Sequence, residues 1–270
     1  MILSISHVTT YTYDRPVRGA VQSLRLTPSR FDGQRVISWS IGVDGGQRGG
    51  AFRDGAGDWI EGWSVRGMLS ELTVRVEGKV ETTDLAGILR GHRENVPAVA
   101  YLRDTAPTRA DAALTALARD AATGANDGLD CAHRLAAAVA DAIAYNPGVT
   151  QAHTTAAEAL ALGEGVCQDH AHTLISLART IGLPARYVSG YLHADAYGNE
   201  HEAAHAWAEV WVEGLGWIGF DAANRCCPDE RYVRLGSGYD AQDAAPIRGI
   251  AMGASHEEMN VAVAVLNAQQ

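Results

Sequence analysis

Long apolar runs are missing from this chain of 270 residues. No stretch approaches the roughly 18 consecutive apolar residues that suggest a membrane-spanning helix. Lysine is nearly absent: Lys79 stands alone beside many arginines, and no Lys/Arg-rich run occurs. With 22 basic residues against 32 acidic ones, the formal net charge is −10. Such a chain suits neither a nucleic-acid backbone nor an anionic membrane surface, because both require a basic face. The N-terminus, Met1 to His7, has no basic region followed by an apolar one. We therefore expect no signal peptide and a cytoplasmic location. Cysteine is sparse, and Cys131, Cys167, Cys226 and Cys227 form no C-x-x-C pair. A bridge between the adjacent Cys226 and Cys227 would be strained, so no disulfide framework is expected.

What is present divides into two parts. Residues 1–85 read as β. His7 to Tyr13 alternates and is rich in β-branched and aromatic types, as are Val21 to Leu26 and Val36 to Val43. Gly45-Gly46 and Gly49-Gly50 punctuate them, and Trp59 to Val65 and Leu69 to Val80 complete about six expected strands. Short strands with turns between them predict a small sandwich or a curled sheet. Near residue 84 the composition changes. A connector over 85–105 leads to an Ala-rich helix over 109–122 and a second over 129–143, with Leu135, Val139 and Ile143 at helical spacing. Asn146-Pro147-Gly148 breaks the pattern. Thr154 or Thr155 caps a short helix ending near Leu162, and Gly163-Glu164-Gly165 stops it. A further helix runs from Cys167 to about Ile181. Strands follow over 185–193, 205–212 and 217–220, and 247–252 and 259–266 are also strand-like. Helices first and antiparallel strands afterwards predict an α+β fold. The expected organisation is an N-terminal β domain over 1–85 and a core over 86–270.

One cysteine stands apart by its position. Cys167 follows a glycine-containing loop and opens a helix, where the first N–H groups are unpaired and carry partial positive charge. That field favours thiolate over thiol. The same N–H groups can hold an oxyanion on an acyl group attacked by the sulfur. The bland alternative is a small buried apolar residue, the usual fate of a free cysteine.

An imidazole partner is available in His205, which opens the alternating segment His205-Ala-Trp-Ala-Glu-Val-Trp211. A general base beside a thiol needs a third group to fix its tautomer and orientation. Asp221 ends the return strand of the next hairpin and can be that group. The register decides. If the turn spans three residues, Trp211 opposes Trp217 and Trp207 opposes Asp221, which places Asp221 on the face of His205, diagonal to it and about 7–8 Å away at the backbone. A four-residue turn would put it on the other face.

These residues carry a resemblance. Gly165-Val-Cys-Gln-Asp-His170, then Ile181-Gly-Leu-Pro-Ala-Arg-Tyr-Val-Ser-Gly-Tyr191, His205-Ala-Trp207 and Gly216-Trp-Ile-Gly-Phe-Asp221 resemble the bacterial branch of the transglutaminase-like superfamily. His7 to Tyr13 and Leu24 to Pro28 resemble the N-terminal domain that accompanies it. The resemblance implies a papain-like core, with helices packed on an antiparallel sheet, and a Cys-His-Asp triad that maps onto Cys167, His205 and Asp221. The chain departs from the usual pattern at Ala204, where Ser is common, at Ala222-Ala223-Asn224 in place of Pro-Thr-Asn, and at Gly236-Ser-Gly-Tyr239 in place of Gly-Arg-Asp-Tyr.

The expected activity is amide chemistry through a thioester, either hydrolysis of a peptide or isopeptide bond or transfer to an amine. The substrate would be a peptide or protein amide. A binding scaffold is the non-enzymatic alternative. Metal binding is a third: Cys167-x-x-His170 is a conceivable half-site with His172, His193 and His201 nearby, but no second half-site has ligand spacing. Neither metal nor cofactor is expected. Tyr187 and Tyr191 are candidate cleft-lining residues.

Overall fold

The structure is a computed structural model that describes residues 1–193, 204–253 and 256–268. The N-terminal sheet opens with β1 (Ile2–Leu24), β2 (Gln34–Val43), β3 (Gly46–Arg53) and β4 (Trp59–Thr82). Along β1, Leu3, Ile5, His7, Thr9, Tyr11 and Tyr13 are all buried. This is the period of two that a strand shows when one face lies on a core.

β1 and β4 run antiparallel along nearly their whole lengths, with register shifts between Thr12 and Val17 and between Val17 and Gly19. Gly19 has φ +152, and a Cβ there would lie 2.7 Å from the Val65 carbonyl oxygen. Bulges bend a strand while its ladder continues. The segments expected as four separate strands, 7–13, 21–26, 59–65 and 69–80, are therefore two long bent ones. Gly45, at φ +65, turns β2 into β3, whereas Gly49-Gly50 lies at a register shift inside β3.

The second unit begins with a 3-10 turn (Ala98–Leu102) and helices α1 (Ala112–Ala122) and α2 (Gly128–Ala142). Asp111 and Asp127 cap the two helices through their carboxylates. Next come β5 (Ala144–Tyr145), α3 (Ala156–Leu162), β6 (Glu164–Gly165) and α4 (Cys167–Thr180). Thr155 and Glu158 form a capping box on α3. Strands β7 (Ala185–Leu192), β8 (Ala204–Val212), β9 (Gly216–Phe220) and β10 (Tyr232–Gly238) make an antiparallel sheet in the order β10-β7-β8-β9. Helix α4 packs on β7 and β8, and its residues Asp169 to Arg179 are all buried. Leu174, Ile175 and Leu177 join Leu135, Val139, Val210 and Phe220 in one core. Helices on an antiparallel sheet, with a curled β unit in front, give the expected α+β class.

The final strands lie apart from the rest of the 86–270 span. β11 (Ile247–Ala251) and β12 (Glu257–Asn267) do not extend the second sheet. They pair antiparallel with β1, β12 along Leu3 to Tyr13 and β11 along Ala20 to Leu24. The 86–270 span thus contributes two strands to the N-terminal sheet, covering an edge of β1 that would otherwise be unpaired. Tyr191, Val233 and Leu235 of the second sheet are in turn buried in the N-terminal core. No helix among the described residues is long and apolar enough to cross a membrane.

Candidate active site

Local chain geometry places Cys167 at the first position of α4. Gly163 ends α3 in the left-handed region at φ +74, and Glu164-Gly165 then pairs with Ala144-Tyr145. A side chain at Gly165 would meet Asp169, because a Cβ there would lie 2.7 Å from the Asp169 Cβ. The N-cap is Val166, which has no capping oxygen. Asp169 compensates from within the helix: its Oδ2 accepts from the Val166 N–H at 2.8 Å and from the Thr150 hydroxyl at 2.6 Å. The N–H groups of Asp169 and His170 bond to the Val166 carbonyl. Those of Cys167 and Gln168 come before these bonds, in the part of a helix that has no internal acceptor.

His205 comes from the start of β8, opposite Gly190 of β7. The hairpin register is Trp211 with Trp217 and Val212 with Gly216, a three-residue turn carried by Gly214 at φ +80 and Gly216 at φ +85. Asp221 follows β9 directly and exchanges backbone hydrogen bonds with Cys226, 2.8 and 3.1 Å long. It lies on the His205 face, and His205 Nε2 is 2.6 Å from Asp221 Oδ2.

The aspartate is 1% exposed, so its charge must be met by protein groups. Oδ2 also accepts from the Asn224 amide at 2.8 Å and the Tyr232 hydroxyl at 2.8 Å, and Oδ1 accepts from the Asn224 N–H at 3.1 Å. Burial would raise the Asp221 pKa, but the charge of His205 and these hydrogen bonds lower it. Burial would likewise lower the His205 pKa. The charges of Asp221 and Cys167, with hydrogen bonds to both, instead raise it to about 10. Imidazolium is therefore the favoured form beside Cys167 at neutral pH. Burial pushes the thiols of Cys131, Cys226 and Cys227 up, that of Cys227 to about 11.

Aromatic rings pack round the pair. Trp207 lies 6.5 Å from His205 in a stacked orientation, and the Tyr232 ring meets both edge-on at 6.0 and 5.5 Å. Tyr191 is not a cleft residue. It is 1% exposed, and its hydroxyl is 2.7 Å from His7 Nδ1, so it joins the two units. Tyr187 is buried in the α4 core, where burial first, and then the charges of Cys167 and Asp169, raise its pKa.

The histidines proposed as metal ligands have other partners. His170 places its ring nitrogens 2.9 and 3.0 Å from the Val166 and Ile143 carbonyls. His172 Nε2 accepts from the Ala241 N–H at 3.0 Å, and burial lowers its pKa to about 4. His193 Nδ1 lies 2.9 Å from the Val265 carbonyl. His201 is outside the described residues.

Sequence reasoning missed the supporting groups. Tyr232 lies on β10, which showed no alternation. Behind Trp207 sits a buried ionic layer. Glu209 accepts from Arg186 at 2.6 Å and from Arg234 at 2.8 Å, and Arg234 continues to Asp58 at 2.9 Å. Arg186 also pairs with Glu94 and lies 4.1 Å from the centre of the Trp217 ring. The period of two put Glu209 on the His205 face, but its partners Arg186 and Arg234 come from β7 and β10.

Comparison with known proteins bears on this geometry. Residues 115–222 match the transglutaminase-like superfamily, and residues 3–81 match the bacterial transglutaminase-like N-terminal region. The uncharacterized protein ML0607 of Mycobacterium leprae is 31% identical over 277 residues, covering 97% of this chain and 98% of that protein. A protein-glutamine gamma-glutamyltransferase of Pseudomonas aeruginosa is 32% identical over 71 residues, which span 24% of this chain and 11% of that enzyme. Among solved structures, a candidate cysteine protease of Cytophaga hutchinsonii superposes with a TM-score of 0.75 at 22% identity, over 99% of this chain and 91% of that one, and so shares the fold. With both of its regions matched and a relative aligned along nearly its whole length, the chain belongs to the transglutaminase-like superfamily.

Proposed function

We propose that this protein is a thiol enzyme acting on amide bonds, with Cys167 as nucleophile, His205 as proton carrier and Asp221 as the group that orients His205. The observation that carries the proposal is the buried 2.6 Å contact between His205 and Asp221, in an imidazole whose pKa also reflects a hydrogen bond to Cys167. With Asp221 on Nε2, the other ring nitrogen is left for the thiol. Beside the His205 imidazolium, Cys167 reacts through its thiolate form, because the thiolate is the nucleophile of a thiol.

The thiolate attacks the amide carbonyl carbon. The C–S bond forms, and the carbonyl π electrons move to oxygen, where the first N–H groups of α4 offer stabilisation. Collapse of this intermediate breaks the C–N bond as the imidazolium gives its proton to the departing amine. A thioester remains. Water, deprotonated by the now neutral His205, adds to it and releases a carboxylic acid and the thiolate.

Hydrolysis of a peptide or isopeptide bond is the favoured outcome because it requires only water as acceptor. Transamidation also needs a bound amine and a site that shuts water out. It is the second reading, supported by the segment similar to the Pseudomonas aeruginosa gamma-glutamyltransferase.

The test is iodoacetamide labelling with site mapping, followed by a screen of peptide amides with and without an added primary amine. Selective labelling at Cys167 and amide turnover lost in Cys167→Ala support the proposal. Acid release without amine incorporation selects hydrolysis. Slow, unselective labelling with no turnover would leave a binding scaffold.

A further inference from the structure

A second cavity shares no residue with the Cys167 site. Three segments distant in sequence meet there: Arg30, Phe31 and Asp32 after β1, Arg53 at the end of β3, and His92 with Arg93 in the connector. Its volume is about 530 Å3, within the range of small-molecule sites.

The charge in this cavity is unbalanced. Arg30, Arg53 and Arg93 are exposed. Among the described residues the guanidinium groups of Arg30 and Arg93 have no hydrogen-bond or ion-pair partner. Arg53 is held in place, because its Nη1 donates to the Gly57 carbonyl at 2.7 Å and its guanidinium lies 5.6 Å from the centre of the Trp59 ring. Its remaining N–H groups are free to face a ligand. The single carboxylate of the lining, Asp32, is already paired with Arg90 at 3.0 Å. His92 fastens the connector to the N-terminal unit, donating from Nε2 to the Ala56 carbonyl at 2.8 Å.

In a chain of net charge −10, three arginines gathered beside one carboxylate that is already paired stand out. Like charges held together repel, and an anion between them turns that repulsion into attraction. Guanidinium presents a planar fork of N–H donors that matches phosphate oxygens two at a time. The cavity is larger than a bare anion needs, and Phe31 supplies an apolar wall for the rest of a ligand. We propose that this cavity binds a small phosphate-bearing molecule, with Arg30, Arg53 and Arg93 on the phosphate. The assignment is independent of the amide chemistry at Cys167.

Isothermal titration of the full chain with pyrophosphate, at constant ionic strength, tests it. Citrate serves as the polycarboxylate arm. Saturable one-to-one binding of pyrophosphate is expected, weakened at least about tenfold in an Arg30→Ala/Arg93→Ala double variant. Both side chains are exposed and unpartnered, so the unliganded variant should melt with the wild type and keep its Cys167 labelling. Asp32→Asn, which releases Arg90, should tighten binding. The proposal is overturned by the absence of saturable binding, by equal affinity in the double variant, or by citrate binding more tightly than pyrophosphate.

Discussion

Tyr232 gives its phenolic hydrogen to the same Asp221 oxygen that faces His205, at 2.8 Å against 2.6 Å for the imidazole. The tyrosine lies on β10, at the edge of the second sheet, and its neighbours Val233 and Leu235 are buried in the N-terminal core. The orientation of the imidazole therefore depends on a strand that links the two units.

Replacing Tyr232 by Phe should keep the ring packing on Trp207 and remove one hydrogen bond to a buried carboxylate. The expected loss is about 1.5–3 kcal/mol of stability, the usual range for a bond to a charged group. Urea unfolding measures it. An unchanged unfolding midpoint would show that Asp221 does not depend on the phenol. Turnover should fall further than stability alone explains, because His205 gains freedom to rotate.

Iodoacetamide should label Cys167 ahead of Cys131, Cys226 and Cys227 at neutral pH, because burial holds those three thiols up. His205 is held as imidazolium up to about 10, so the positive charge that favours thiolate persists through neutrality. His205→Ala removes it, and the labelling rate at pH 6 should drop by tenfold or more, on the order of one pKa unit of lost stabilisation. Equal rates in the two proteins would uncouple the residues.

The same histidine sets a pH window for stability. Its folded pKa lies above the unfolded value of 6.5, so its contribution is complete below that value and is lost as pH rises through about 10. Glu209 behaves in the opposite sense. Burial would raise its pKa, but Arg234 and Arg186 lower it to about 2, so its contribution is present above the unfolded value of 4.5 and disappears as pH falls toward 2. From these two groups, unfolding free energy should be flat between pH 4.5 and 6.5 and fall on either side of that window. The alkaline slope, at most about 1.4 kcal/mol per pH unit for one proton, should be missing in His205→Gln.

Arg234→Ala should be among the most damaging single changes outside the site. It strips Glu209 and Asp58, 2% and 0% exposed, of a shared partner. Breaking a buried pair typically costs about 3–5 kcal/mol, because the remaining charge stays in the interior. A second change, Glu209→Gln, should recover part of that loss. Chemical denaturation of the single and double variants gives the coupling directly.

What could be read from the chain alone followed local rules. Three residues between Val212 and Gly216 are enough to deduce the face on which Asp221 falls, because side chains alternate along a strand. Gly165 followed by a helix start marked Cys167. By contrast, β10 escaped notice because every residue of Tyr232 to Gly238 is buried, so the strand shows no polar alternation. With it went Tyr232 and Arg234. The bulges that join the segments of β1 and β4 into single strands are set by pairing across the sheet, and composition carries no mark of them. Nor did the strand pattern of 247–267 name its partner, which is the first strand of the chain.

The pairing of Leu3 with Asn267 has a consequence for synthesis. β1 leaves the ribosome well before β12 and waits for it before that outer edge is covered. Until then β1 presents a row of open backbone groups, with β4 alone beside it along its length. The nascent protein is thus most vulnerable to mispairing with other chains while its second unit is being made, and a chaperone that shields strand edges would act in that interval.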